Sequence, residues 1–237
     1  MIVVGAHWDT TGFTDGFNDN GSGVAAVLET ARAMSQSDCI LQFSVIFVAF
    51  DLEEVGAQGS HEFVRSYLIP RFFLTDHPPE FQGKNGTWEV IIRDFLPGAF
   101  ILDTILNFND TEKSQNFPRS WSDNIVGDAL KETLRDRFRG NFISLISRDN
   151  PESELVKLLR KKWDALQRDR QFRESINPRR FKLRNMAITL TDKLPSFQNL
   201  TNYVNFLRSD HIRFWFVNEF EYQFSLKSVL FTDTGEV

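Results

Sequence analysis

Two rhythms of apolar residues run through the chain. Ile2 to Ala6 is an unbroken apolar run, short enough for a strand covered on both faces, and it delivers His7-Trp8-Asp9 at its C-terminal end. A loop rich in Gly, Asn, Thr and Asp follows. Val24, Val27, Leu28, Ala31 and Met34 then recur at the spacing of one helix face, so Asp19-Asn20-Gly21-Ser22 stands where a helix begins. Phe43 to Phe50 is dense in Val, Ile and Phe and predicts a second buried strand, which breaks off into Asp51-Leu52-Glu53-Glu54. After Gly59-Ser60 an amphipathic helix is expected through Phe63, Val64 and Leu68, broken at Pro70. Pro97 to Leu102 reads as a third strand, ending at Asp103.

From about residue 109 to 193 the pattern changes. Asn150 and Pro151 look like a helix cap and first helical residue, and Leu155, Leu158, Leu159, Trp163 and Leu166 form one apolar face. The stretch is expected to be a helical insertion. It gathers 11 Lys and Arg between Lys157 and Arg184, against the acidic trend elsewhere. This is read either as a solvated helix face or as a patch for an acidic partner. Ser209-Asp210-His211 and an apolar strand from Ser228 to Phe231 follow. Alternating apolar strands and helices predict an α/β domain, and the 237 residues are expected to form one.

Composition narrows the chemistry. A hydrophobic content of 41% suffices for one substantial core, and a net charge of −5 gives no pull toward nucleic acid or an anionic membrane. Cys39 is the sole cysteine, so an intrachain disulfide and a thiolate zinc cluster are both excluded, and a metal would sit on His and carboxylates. No apolar run is long enough to cross a bilayer, and the first residues lack the plan of a signal peptide. Glycan-acceptor triplets begin at Asn20, Asn85, Asn109 and Asn199. They raise the expectation of a secreted glycoprotein whose N-terminal segment is missing.

Hydrolysis of a peptide bond with metal needs a polarised carbonyl, an activated water and a base. His7 and Asp9 lie two apart and point to one side of a strand, so the carboxylate can orient the imidazole or approach the metal itself. Glu53 and Glu54 are adjacent acids whose repulsion a cation relieves. Asp103 ends another apolar strand, and Asp19 adds a carboxylate beside a helix start. Three strand ends thus deliver ligands suited to zinc.

The segments VVGAHWDTTGFTDGFNDNGSGVAAVLETAR, FVAFDLEEVGAQGS, GAFILDT and RSDHIRFW, in that order, resemble the co-catalytic zinc exopeptidases, which include leucine aminopeptidases, glutamate carboxypeptidase and glutaminyl cyclase. The resemblance implies a three-layer α/β fold with a mixed, mostly parallel central sheet, two zinc ions and a peptide substrate. It implies that His7 and Asp103 bind one zinc, Asp19 bridges both and Glu54 binds the other. Glu53 would be the general base, with Asp9 behind His7, and Ser209, Asp210 and His211 would line the pocket. The family's last zinc ligand is a His after the strand matched here by SVLFTDTG, where this sequence offers none; His61 and His77 are no obvious substitutes. The expectation is therefore a chain incomplete at both ends. An aminopeptidase is the leading reading. Carboxypeptidase or dipeptidase action, a one-zinc cyclase and a non-catalytic binding relative stand as alternatives.

Overall fold

The computed structural model describes residues 1–74, 96–117, 121, 123–175, 182–219 and 222–233. Eight strands are present among them: β1 (Ile2–His7), β2 (Val45–Phe50), β3 (Gly98–Leu102), β4 (Phe142–Arg148), β5 (Lys182–Ile188), β6 (Val217–Glu219), β7 (Tyr222–Phe224) and β8 (Ser228–Thr232). Six of them form the central sheet in the order β2-β1-β3-β8-β4-β5, while β6 and β7 pair as a separate ribbon. β2, β1, β3 and β8 run parallel, β4 and β5 run parallel to each other, and the two blocks meet antiparallel between β8 and β4. The expected mixed, mostly parallel sheet is what forms.

Strand residues alternate between two cores, as the period of two requires. On one face Ile2, Val4, Phe100 and Leu102 pack against Val24 and Val27 of α1 (Gly23–Ser35), and Val229 and Leu145 pack against Val156 of α6 (Ser153–Arg168). On the other face Val3, Ala99, Ile101, Ile146 and Met186 join Val64 and Leu68, Ala129 of α5 (Ala129–Arg135) and Phe214 and Trp215 of α9 (Ile212–Trp215). Helices therefore cover both faces, giving three layers. The remaining short helices are α2 (Gln58–Glu62), α3 (Ile69–Leu74), α4 (Asp123–Val126), α7 (Arg170–Ser175) and α8 (Phe197–Leu200).

Three expectations change. The second helix does not stop at Pro70. α2 continues through a wider turn at Phe63–Leu68, where the Ile69 amide bonds back to the Val64 carbonyl, and α3 carries on past the proline. Widening the turn there moves the backbone away from the carbonyl that a proline ring would strike. The stretch from 109 to 193 is not purely helical either, since it supplies β4 and β5 to the sheet. Finally, α6 begins at Ser153 rather than Pro151. The Glu152 carboxylate turns back to the Arg148 amide at 2.9 Å and to the Arg148 guanidinium, and both side chains are fully buried. Ser225, the Leu226 carbonyl and the Trp215 ring complete the enclosure of Arg148.

Candidate metal centre

Parallel pairing brings the C-terminal ends of β1, β2 and β3 to one edge of the sheet, with His7 opposite Phe50 and Gly5 opposite Ile101. His7, only 1% exposed, is held from behind: its Nδ1 lies 3.1 Å from the Asp9 carbonyl and 3.5 Å from the Asp9 carboxylate. That fixes Nδ1 as the donor and turns Nε2 outward. Nε2 lies 3.1 Å from Asp19 Oδ1 and 3.3 Å from Asp103 Oδ1. One ligand atom from each of His7, Asp19 and Asp103 fits within 4.8 Å. The Asp9 carboxylate accepts the backbone N–H of Glu53 at 3.1 Å and of Glu54 at 3.2 Å, so the residue behind the histidine also fixes the two glutamates. Leu52, at φ +58°, and Thr104, at φ +47°, flank Glu53 and Asp103 in the left-handed region. Bulky side chains are uncommon there, and such strain gathers at functional sites.

Asp19 sits at the kinked entry to α1, and its peptide bond to Asn20 is cis. The loop around it is sewn to the end of β3 by side chains. Asn20 Nδ2 donates to the Leu102 carbonyl at 3.0 Å, while its Oδ1 accepts from Gly23 N and Thr104 N. Ser22 Oγ accepts from Ile105 N, and Asn18 Oδ1 from Leu106 N. Gly23 is required here because a Cβ would run into the Leu102 carbonyl and the Asn20 side chain. These stitches set Asp19 and Asp103 facing one another.

The electrostatics follow from burial beside several acids. Burial pulls His7 down, but its hydrogen bonds to Asp103 and Asp19 and the charges of Asp103 and Glu53 outweigh it and push its pKa up to about 11. Burial raises Glu53 to about 8, assisted by Asp103, Asp210 and Glu54 and opposed by His7. Burial also raises Glu54, whose Oε1 is enclosed without a hydrogen-bond partner. In the protein alone the His7 proton holds the Asp19 and Asp103 carboxylates together. A divalent cation held by the same three groups would replace that proton with a stronger charge, and the imidazole-plus-carboxylate donor set suits zinc.

Asp19, Glu53, Glu54, Asp103 and Ser209 line one cavity of about 390 Å³, walled on another side by Phe117, Trp121, Ile146 and Leu230. Of the three residues expected to line the pocket, only Ser209 does so. Asp210 is wholly buried behind it, and burial raises its pKa to about 7 against the opposing Ser60 hydroxyl and His7. His211 is a core residue: its Nε2 donates to the Phe206 carbonyl at 2.9 Å, and its ring meets Trp215 edge-on. Burial holds it neutral, with a pKa of about 3. His61 is on α2 and belongs to no ligand cluster among the described residues, and His77 lies outside them. Asn20 is 1% exposed with its amide fully engaged, so it is no glycan acceptor; Asn109 and Asn199 are exposed, and Asn85 is outside the described residues. The stitching residues Asn18, Asn20 and Ser22 went unrecognised in the sequence, as did the wall residues Phe117 and Trp121. The one available signal was the polar run Asn18-Asp19-Asn20-Gly21-Ser22.

Residues 1–76 match Peptidase family M28. Over 69 residues the chain is 44% identical to a probable lipoprotein aminopeptidase, LpqL, of Mycobacterium tuberculosis, spanning 29% of this chain and 14% of that protein. Over 64 residues it is 39% identical to aminopeptidase YwaD of Bacillus subtilis, spanning 27% and 14%. Among solved structures it superposes on BSAP, a zinc aminopeptidase from Bacillus subtilis, with a TM-score of 0.50 and 17% identity, covering 100% of this chain and 37% of that one. The chain therefore spans well under half the length of these relatives. Residues 1–76, which carry His7, Asp9, Asp19, Glu53 and Glu54, are thus similar to Peptidase family M28, and the chain shares the fold of a zinc aminopeptidase of known structure.

Proposed function

We propose that the protein is a zinc-dependent exopeptidase, acting as an aminopeptidase on the N-terminal residues of peptides. The observation that carries this reading is the convergence of His7, Asp19 and Asp103 on one point, with Glu53 lining the same cavity. The match of residues 1–76 to a peptidase family supports it. His7 Nε2 and Asp103 would hold one zinc ion, Asp19 would be shared with a second, and Glu54, with its enclosed oxygen unpartnered, would hold that second ion. Zinc supplies a Lewis acid that polarises the scissile carbonyl and makes water acidic enough to attack near neutral pH. Glu53, which lines the same cavity as the ligands, takes the proton of the attacking water and returns it to the leaving amine. Asp9 keeps His7 in the tautomer that presents Nε2 and anchors the backbone of both glutamates. The acid-lined mouth suits the ammonium group of a peptide N-terminus. Secretion, with glycans on Asn109 and Asn199, fits their exposure and the likeness to a lipoprotein enzyme.

Two measurements test the reading. Glu53→Gln should lower kcat by roughly 10²–10⁴-fold, the usual contribution of a general base, while the zinc content by elemental analysis stays at the wild-type value. Turnover that survives the substitution rules out this role. His7→Ala should strip zinc from the dialysed protein, and a full metal complement in that variant removes the ligand assignment.

A further inference from the structure

The cavity is not uniformly acidic. Opposite the carboxylates, Trp121 stacks between Phe117, at 5.1 Å, and Phe206, at 4.5 Å, and Ile146 and Leu230 complete an apolar wall. Arg208 is the only cation among the described residues lining the cavity. It is exposed and makes no ion pair or hydrogen bond with any described residue, although several acids share the cavity. Asn116 and Asn205 line the cavity too, and their side-chain amides bond to no described residue. A guanidinium is a planar fork of donors whose geometry matches a carboxylate, and an arginine without an acid partner retains that capacity for a ligand. Beside it, the wall of stacked rings offers apolar surface for the carbon chain that carries such a group.

We infer that Arg208 is a specificity residue: it selects peptides that bear a carboxylate close to the bond being cut, with the intervening carbons on the Trp121 wall. This rests on the exopeptidase reading above. The carboxylate has two possible sources, an acidic side chain or a free C-terminus one residue beyond the scissile bond. A cavity of about 390 Å³ admits a terminal residue and its neighbour, so either source falls within its reach.

Four peptides separate the cases on the zinc-loaded full chain: Glu-Ala-Ala-amide against Gln-Ala-Ala-amide, and Leu-Ala against Leu-Ala-amide. The expected result is that kcat/KM favours the carboxylate member of at least one pair by about tenfold, and that Arg208→Gln brings the ratio close to one. A split in the first pair assigns the carboxylate to the side chain, and a split in the second assigns it to the terminus. Equal rates within both pairs, or a split that persists in Arg208→Gln, overturn the inference. Calorimetric binding of the same peptides to Glu53→Gln, with and without Arg208→Gln, reads the preference without turnover. If wild type hydrolyses none of the peptides, the exopeptidase reading fails, and this binding ratio still decides the role of Arg208.

Discussion

Asn20 has more consequence than its lack of a ligand role suggests. One buried amide satisfies the Gly23 and Thr104 amides and the Leu102 carbonyl, tying the helix entry to the end of β3. Asn20→Ala leaves these groups without partners and should cost about 1–3 kcal/mol for each one not rescued by water, read as a fall in the denaturant midpoint. Zinc content should fall with it, because Asp19 and Asp103 lose their relative placement. Asn20→Asp keeps both acceptor contacts but sets a second carboxylate oxygen against the Leu102 carbonyl in a buried site among acids, so it should cost at least as much stability as alanine. Titration of the same site gives a separate expectation. His7 and Glu53 both have folded pKa values above their ordinary ones, at about 11 and about 8, so the zinc-free folded chain binds more protons than the unfolded one. The stabilisation from His7 is complete below about pH 6.5 and fades toward 11. Protonated Glu53 is tolerated at low pH, and forcing its charge costs stability as pH rises from 4.5 to 8. Zinc-free protein should therefore melt lower at pH 9 than at pH 6. Zinc takes the place of the His7 proton and should flatten that slope; a zinc-free melting point that rises with pH contradicts this electrostatic account.

Some strands announced themselves in the sequence and others did not, for reasons visible in what they bury. β1, β2 and β3 are nearly all apolar, so a short unbroken run was signal enough. β4 buries Ser144, Ser147 and Arg148, and β5 buries Arg184 against Thr133 and Asp136. Those polar residues broke the apolar pattern, and Arg184 read as part of a basic patch until its partners were known. The enclosed Arg148–Glu152 pair makes this testable. Glu152→Ala leaves a guanidinium in the core with its main counter-charge gone, and should cost about 3–5 kcal/mol in denaturant unfolding. Replacing both members with apolar residues of similar size should recover much of the loss. Near-equal costs for the single and double replacements would show that packing, not the stranded charge, sets the energy.

The proposed ligands were legible as a group because each stands at the end of a strand or the start of a helix, where position follows from local pattern. The cavity wall was not, since Phe117, Trp121 and Arg208 come from segments far apart whose meeting depends on the whole sheet. β8 controls that meeting. It lies between β3 and β4 and is the one strand linking the two parallel blocks, through Ala99–Ser228 on one side and Ile146–Leu230 on the other. Its residues follow those of both blocks in the chain. Until they emerge from the ribosome, the nascent chain presents two bare strand edges, which invite pairing with other molecules. Burial of those edges waits on pairings as distant in the chain as Ala99 with Ser228, so folding should be slow, with a need for chaperone protection that loss of β8 would prolong.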